Sequence, residues 1–320
     1  MIAAGLLAYA ALLLTACAPA LARAAWPDRA PGLAMVAWLA LCGSAIAAVV
    51  LGGTALLVPV IHVNMGAGWL LHACEMALHA KHAGPGGAVL AGAGAVLAIA
   101  VAARTTCSAG AFLAANARAA RAHGDRLRLA GRPVTRLGAL VVDHDEPGAY
   151  CMPGTRSPVV LTTAALRALD DAQLGAVLAH ERAHQSGRHH LLVALAAVPA
   201  VAFPRVPAFR LARDQVARLA ELAADDAAAR RSPRLTVAEA LLTLGTAPDT
   251  ERARGPVPST AGVLGASGAT AAARIRRLIA APAPLSRAAS TGGATAVAAL
   301  AAMPLVLAAT AVLNCCSQPG

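Results

Sequence analysis

The stretch Asp170-Asp171-Ala172-Gln173-Leu174-Gly175-Ala176-Val177-Leu178-Ala179-His180-Glu181-Arg182-Ala183-His184 decides how the middle of this chain folds. Asp170 is followed three residues later by Gln173. That is the spacing of a capping box, in which side-chain and backbone groups satisfy each other at a helix start. Leu174, Val177 and Leu178 then recur at helical spacing, so the predicted helix has one apolar face. His180 and His184 stand at i and i+4, one turn apart on one face, where both imidazoles can reach a single ion. Glu181, beside the first histidine, points near a remaining coordination position and can take a proton from water there. Zinc suits this set, because a catalytic zinc site has three protein ligands and one open corner. With ten His and six Glu in the chain, a chance HExxH has odds on the order of half a per cent. The bland reading, a solvated face with two ordinary histidines, is disfavoured by the capped helix start.

The third ligand must come from downstream. The acids after His184 are Asp214, Glu221, Asp225, Asp226, Glu239, Asp249 and Glu251. Glu221 and Asp225 share a face at i and i+4 on the strongest helical pattern of that region, about 208–230. Glu221 is therefore expected to ligate one Zn2+ per chain, with Asp225 hydrogen-bonding a ligand histidine from behind.

Working outward, residues 104–135 are rich in Arg and Ala and predict a helix ending near Gly131-Arg132-Pro133. Short strand-like runs at 138–142, 149–152 and 158–162, separated by turn residues, predict a small antiparallel sheet. Its strand residues Ala149, Tyr150 and Cys151 offer an edge on which an extended substrate can add as a further strand. Residues 163–169 predict a short helix, and 246–292 read as loosely ordered. His189 and His190 read as a helix end facing solvent, Arg182 and Arg188 as a basic last turn. The apolar run 191–204 is too short to span a bilayer and reads as a membrane-associated arm, which would put the cleft near the inner leaflet. His72, Glu75, His79 and His82 share a helical face and read as polar filler at a membrane interface.

Hydrophobic residues make up 58% of the 320, aromatics 2% and charged residues 13%. Such a chain fills a soluble core poorly but suits closely packed Ala/Gly/Leu helices in lipid. Four runs, at about 2–21, 33–58, 86–103 and 293–313, are long enough to cross a bilayer. Leu14-Thr15-Ala16-Cys17 looks like a lipoprotein cleavage box. With no Lys or Arg in the first twenty residues, however, the first run is expected to be a retained span. Of the formal net charge of +11, +10 lies in residues 104–290. The positive-inside rule then puts the N-terminus outside and the large domain in the cytoplasm. Too few aromatics for base stacking and no nucleic-acid motif exclude direct nucleic-acid binding. Seven cysteines at irregular spacing, without CxxC, indicate neither a disulfide framework nor a cysteine zinc site.

His180-Glu181-Arg182-Ala183-His184 followed by Glu221-Leu222-Ala223-Ala224-Asp225 resembles the HExxH…ExxxD gluzincin pattern. Three spans before the domain and one after it resemble the BlaR/MecR type of membrane zinc metallopeptidase. Ala149 to Gly154 and Val159 to Thr163 resemble the strand pair before HExxH there and in the related HtpX and CAAX prenyl proteases. The resemblance implies His180, His184 and Glu221 as ligands, Glu181 as general base and Asp225 as the supporting carboxylate. It also implies a protein substrate, among which a transcriptional repressor. The chain departs from the beta-lactam sensors in two ways. Only 314–320 follow the last span where those carry a penicillin-binding domain. The single lysine, Lys81, has Leu78 three residues before it, so Ser-x-x-Lys acylation is ruled out.

The expected architecture is a mainly α membrane protein of four transmembrane helices with a cytoplasmic α+β gluzincin domain. Residues 1–103 form a three-helix membrane domain, 104–290 the metallopeptidase domain, 291–314 the fourth span and 315–320 a short outer tail. The expected function is zinc-dependent endopeptidase action on a protein or peptide at the cytoplasmic face of the bilayer. The alternative is a non-catalytic membrane signal transducer with a structural zinc, marked by a fourth ligand from His189, His190 or Asp214. A transporter is disfavoured, because the spans carry almost no ionisable residues.

Overall fold

The computed structural model describes residues 2–56, 85–152, 158–245 and 268–316. The outer-loop histidines at 72, 79 and 82 and Glu75 lie outside the described residues. Among the described residues, four helices are long and apolar enough to cross a membrane. They are α1 (Ile2–Arg23, with a π-helical turn at Leu13–Cys17), α2 (Pro31–Ala55), α3 (Pro85–Ala130) and α10 (Arg287–Cys316).

Small residues and a few hydroxyls tie these helices together. A Cβ on Gly53 of α2 would lie 2.6 Å from the Gly94 carbonyl oxygen of α3, so only glycine permits this approach. The Tyr9 and Ser44 hydroxyls lie 2.9 Å apart, and both donate to the Leu300 carbonyl, which links α1, α2 and α10. The helix of the third span does not stop at Ala103. Residues 104–130 are rich in Arg and Ala and hold no proline, so despite Gly110 and Gly124 α3 runs unbroken for 46 residues, about 69 Å at the standard rise. The Gly131-Arg132-Pro133 breaker ends it.

Four short strands follow: β1 (Arg132–Val134), β2 (Ala139–Val142), β3 (Ala149–Cys151) and β4 (Val159–Thr162). Their order is β1-β2-β4-β3. The sheet is mixed rather than antiparallel. β2 and β4 run parallel, while β1 pairs antiparallel with β2 and β3 with β4. The reason lies in the chain between β2 and β4, which swings outward to make β3 and returns, so β4 enters the sheet in the direction of β2. Central β4 is buried along its whole length and correspondingly apolar.

The helical part consists of α4 (Thr163–Ala168), α5 (Asp171–Ser186), α6 (His189–Ala202), α7 (Pro207–Ala228), α8 (Arg234–Gly245) and α9 (Gly268–Ile279). The capping box is formed: Gln173 N–H donates to Asp170 Oδ1 at 2.8 Å, and Asp170 N–H donates to Gln173 Oε1 at 3.4 Å. The expectation of loose order across 246–292 fails at α9. Its Ile275 and Leu278 pack with Ala176 of α5 and with Val237 and Ala238 of α8, and this burial holds the helix.

Helix α7 joins the site to the spans. Phe209, Val216, Leu219 and Leu222 share one buried cluster with Leu13, Trp38 and Leu41 of α1 and α2. Helix α6 packs beside it against α3 and α2, and the Arg104 guanidinium donates to the Ala202 carbonyl at the end of α6. Leu191, Leu195 and Val201 of α6 remain exposed on the other side.

Candidate metal centre

Two helices converge here. α5 presents His180 and His184 on consecutive turns, and α7 brings Glu221 across from them. His180 Nε2 and His184 Nε2 face each other at 3.1 Å. Glu221 Oε2 lies 3.5 Å from His180 Nε2, and Glu221 Oε1 lies 3.4 Å from His184 Nε2. A tetrahedral ion with bonds of 2.0–2.1 Å spaces its ligand atoms about 3.3 Å apart. All three separations are near that edge length, the two to Glu221 being made by different carboxylate oxygens, so the donor set is sized for a zinc ion. Among the described residues, these three form the cluster of mutually close metal-binding groups.

The supporting contacts aim each ligand. His180 Nδ1 sits 3.1 Å from Asp225 Oδ1, though off the ideal hydrogen-bonding direction. Asp225 is fully buried and lies one turn beyond Glu221 on α7, as its i+4 spacing required. His184 Nδ1 is 3.0 Å from His189 Nδ1. One of these nitrogens must donate to the other, and donation from His184 leaves its Nε2 lone pair for a metal. His189 is therefore buried at the site, contrary to the solvent-facing reading. The turn that folds it back explains why. Arg188 takes the left-handed conformation at φ 49°, and a Cβ on Gly187 would collide with the His189 ring. His190 remains only half-buried, and Asp214 pairs with Arg213 away from the cluster.

Arg274 of α9 was not legible as a site residue. Its guanidinium grips Asp225 with two hydrogen bonds, of 2.8 and 2.6 Å, and lies 2.9 Å from Glu221 Oε2. It sits 49 residues beyond Asp225 in an arginine-rich run, where only its spacing ahead of Leu278 on an amphipathic helix could have marked it. With both imidazoles neutral, as metal ligation requires, Glu221, Asp225 and Glu181 against Arg274 leave an excess of two negative charges, the complement of a dication.

The electrostatics follow. Burial opposes the charge on Glu221, but the His180 hydrogen bond and Arg274 hold its carboxyl down to about 2. Burial likewise opposes ionisation of Asp225, and its bonds to Arg274 and His180 pull it well below the carboxylate range. Burial disfavours a charged His180, yet the Asp225 and Glu221 carboxylates raise it to about 10. Burial lowers His184 to about 3. Burial pushes Glu181 upward, assisted by the Glu221 charge and opposed by His180.

Glu181 has a partner that the sequence did not suggest. The Cys151 thiol and backbone N–H stand close enough to Glu181 to act on its carboxylate. Burial and Glu181 push the thiol up to about 12, so it stays a neutral donor. Cys151 ends β3, an edge strand of the sheet, alongside α5. Tyr150 turns the other way and its hydroxyl lies 3.0 Å from His123 Nε2 on α3.

Residues 114–209 match the model of peptidase family M48. The match begins in the second half of α3, takes in the sheet and the HExxH helix, and ends at the start of α7. It marks this region as a peptidase domain of the metal-dependent class, and the His180–His184–Glu221 cluster is compatible with zinc. No curated protein and no solved structure matches the chain.

Proposed function

We propose that this chain is an integral membrane zinc endopeptidase that hydrolyses a protein substrate at the cytoplasmic face. The observation that carries the reading is the near-tetrahedral spacing of His180, His184 and Glu221 beside an ionisable Glu181. His180, His184 and Glu221 would hold the ion, which when bound supplies Lewis-acid polarisation of the scissile carbonyl and acidifies water. Glu181 then takes the proton of the attacking water and passes it to the leaving amine. Its raised pKa suits the second step, and the Cys151 N–H and thiol keep the carboxylate aimed. Asp225, Arg274 and His189 hold the ligands in register. An extended substrate adds to the edge formed by Ala149, Tyr150 and Cys151, next to the reacting atoms.

The N-terminus is assigned to the outside and the peptidase domain to the cytoplasm, on the charge distribution of the loops. The arrangement of spans supports a BlaR/MecR-type role in regulatory proteolysis, with a transcriptional repressor among the substrates. A structural zinc in a non-catalytic transducer is the competing reading. It needs a fourth ligand from His189, His190 or Asp214, and among the described residues the close cluster is His180, His184 and Glu221 alone.

The test is purified full-length protein in detergent, assayed on an unfolded casein with chelator and with added zinc. Cleavage is expected to stop on chelation and return with zinc at one ion per chain. Zinc bound at that ratio with no cleavage of casein or of any co-encoded regulator would favour the structural reading.

A further inference from the structure

Between α1, α2 and α10 lies an apolar crevice of about 530 Å³ that plays no part in the metal centre. Leu13, Cys17 and Leu21, at i, i+4 and i+8, make one wall along α1. Ala37 of α2 and Ala296 of α10 make the others. The crevice exists because α10 packs closely on α2 but touches α1 little. Its volume is within the range of ligand sites. Its walls hold almost no polar atom, so a water-filled crevice is disfavoured.

One end of it is chemically distinct. Trp26 and Leu285 close that end, and around it in the chain stand Arg23, Arg29 and Arg287. Arg23 and Arg287 are exposed. Arg29 donates to the Ala283 and Pro284 carbonyls, and among the described residues no acid pairs with it. The nearby acid, Asp28, is already bonded to Arg218 at 2.8 Å. Helices α2 and α10 both begin at this end and α1 finishes there, so the positive dipole ends outnumber the negative one. An apolar slot with a cationic mouth and an interfacial tryptophan is complementary to one kind of molecule.

We infer that this crevice seats one acyl chain of an anionic membrane phospholipid, with the phosphate headgroup held at the Arg23–Arg287 end. The inference rests on the membrane reading above. The seat adjoins the site's scaffold: the Asp28 carbonyl accepts from Arg277 of α9 at 2.7 Å, one turn from Arg274, and Arg218 belongs to α7. Headgroup binding at the Trp26–Asp28 turn therefore steadies both helices that support Glu221 and Asp225.

The experiment uses the full chain in detergent, equilibrated with dioleoyl phosphatidylglycerol or dioleoyl phosphatidylcholine, with retained lipid counted by native mass spectrometry. Each arginine near a headgroup contributes about fivefold, so with Arg23, Arg29 and Arg287 together phosphatidylglycerol should be retained about a hundredfold more tightly at one per chain. Arg23→Gln with Arg287→Gln should cut that preference to about the fivefold that Arg29 alone gives. Ala296→Phe, which fills the crevice, should remove the retained lipid while zinc content is unchanged, and Ala37→Phe gives an independent filling. Equal retention of both lipids by the wild type overturns the proposal, as does undiminished retention in a folded filled variant or a dimer in place of bound lipid. A chain that stays dispersed after detergent is withdrawn defeats the membrane reading instead.

Discussion

At the scale of single residues, the site separates groups that react from groups that aim them. Glu181→Gln keeps the size of the side chain and removes its basicity. Casein cleavage should fall by at least about a hundredfold, while the zinc content stays at the wild-type ratio. Cleavage surviving that change would exclude Glu181 as the base. His189→Phe tests the aiming role, because it fills the same space but cannot accept from His184 Nδ1. Zinc affinity, read by competition with a chromogenic chelator, should weaken about tenfold to a hundredfold. His189→Gln, which retains an acceptor, should recover part of that loss. An affinity unchanged in His189→Phe would make the buried imidazole a packing residue only.

At the scale of elements, the turn between α5 and α6 and the pairing of α7 with α9 carry the strain and the charge. Arg188 holds a left-handed backbone that costs an L-residue about 1–2 kcal/mol, so Arg188→Gly should leave thermal stability equal or slightly raised. Gly187→Ala should lower it and weaken zinc binding as well, because the new methyl displaces His189. The acid side follows from Glu221, held down to about 2, and from Asp225, also held well below its ordinary range. A carboxylate with a depressed folded pKa adds stability that is complete above its unfolded value near 4 and disappears as pH falls through the folded value. In chelated protein, these two carboxyls should make the melting temperature drop steadily as pH falls from about 4 to 2, while His180, raised to about 10, makes it decline again as pH rises from about 6.5 towards that value. Arg274→Met should raise both carboxyl values and move the acid-side drop upward. A flat profile in the chelated wild type would contradict the ion-pair arrangement.

At the scale of the whole molecule, the metal-bearing helix is built on the membrane spans. Trp38 is fully buried in the cluster that also contains Val216 and Leu219 of α7. Trp38→Ala should cost about 3 kcal/mol or more, and because α7 is then released it should also lower zinc retention, though the two sites are on different helices. Loss of thermal stability with wild-type zinc affinity would show that the spans and the centre are mechanically independent. The continuous α3 adds a second physical link, since the helix that leaves the bilayer ends at the sheet, with His123 on Tyr150 of the edge strand.

What was legible in the residues was whatever local periodicity encodes. The i, i+4 histidines, the Asp170–Gln173 cap, the Glu221–Asp225 pair and the four apolar runs are all statements about neighbours along one helix, and geometry within a helix is nearly invariant. The tertiary structure alone decided what depends on the meeting of distant segments. It set the parallel entry of β4, Arg274 arriving from beyond residue 267, and the Cys151 thiol against Glu181. It also turned His189 inward and fused α7 into the core of the spans. None of these has a period, because each is selected by burial and charge balance across the fold rather than by adjacent residues.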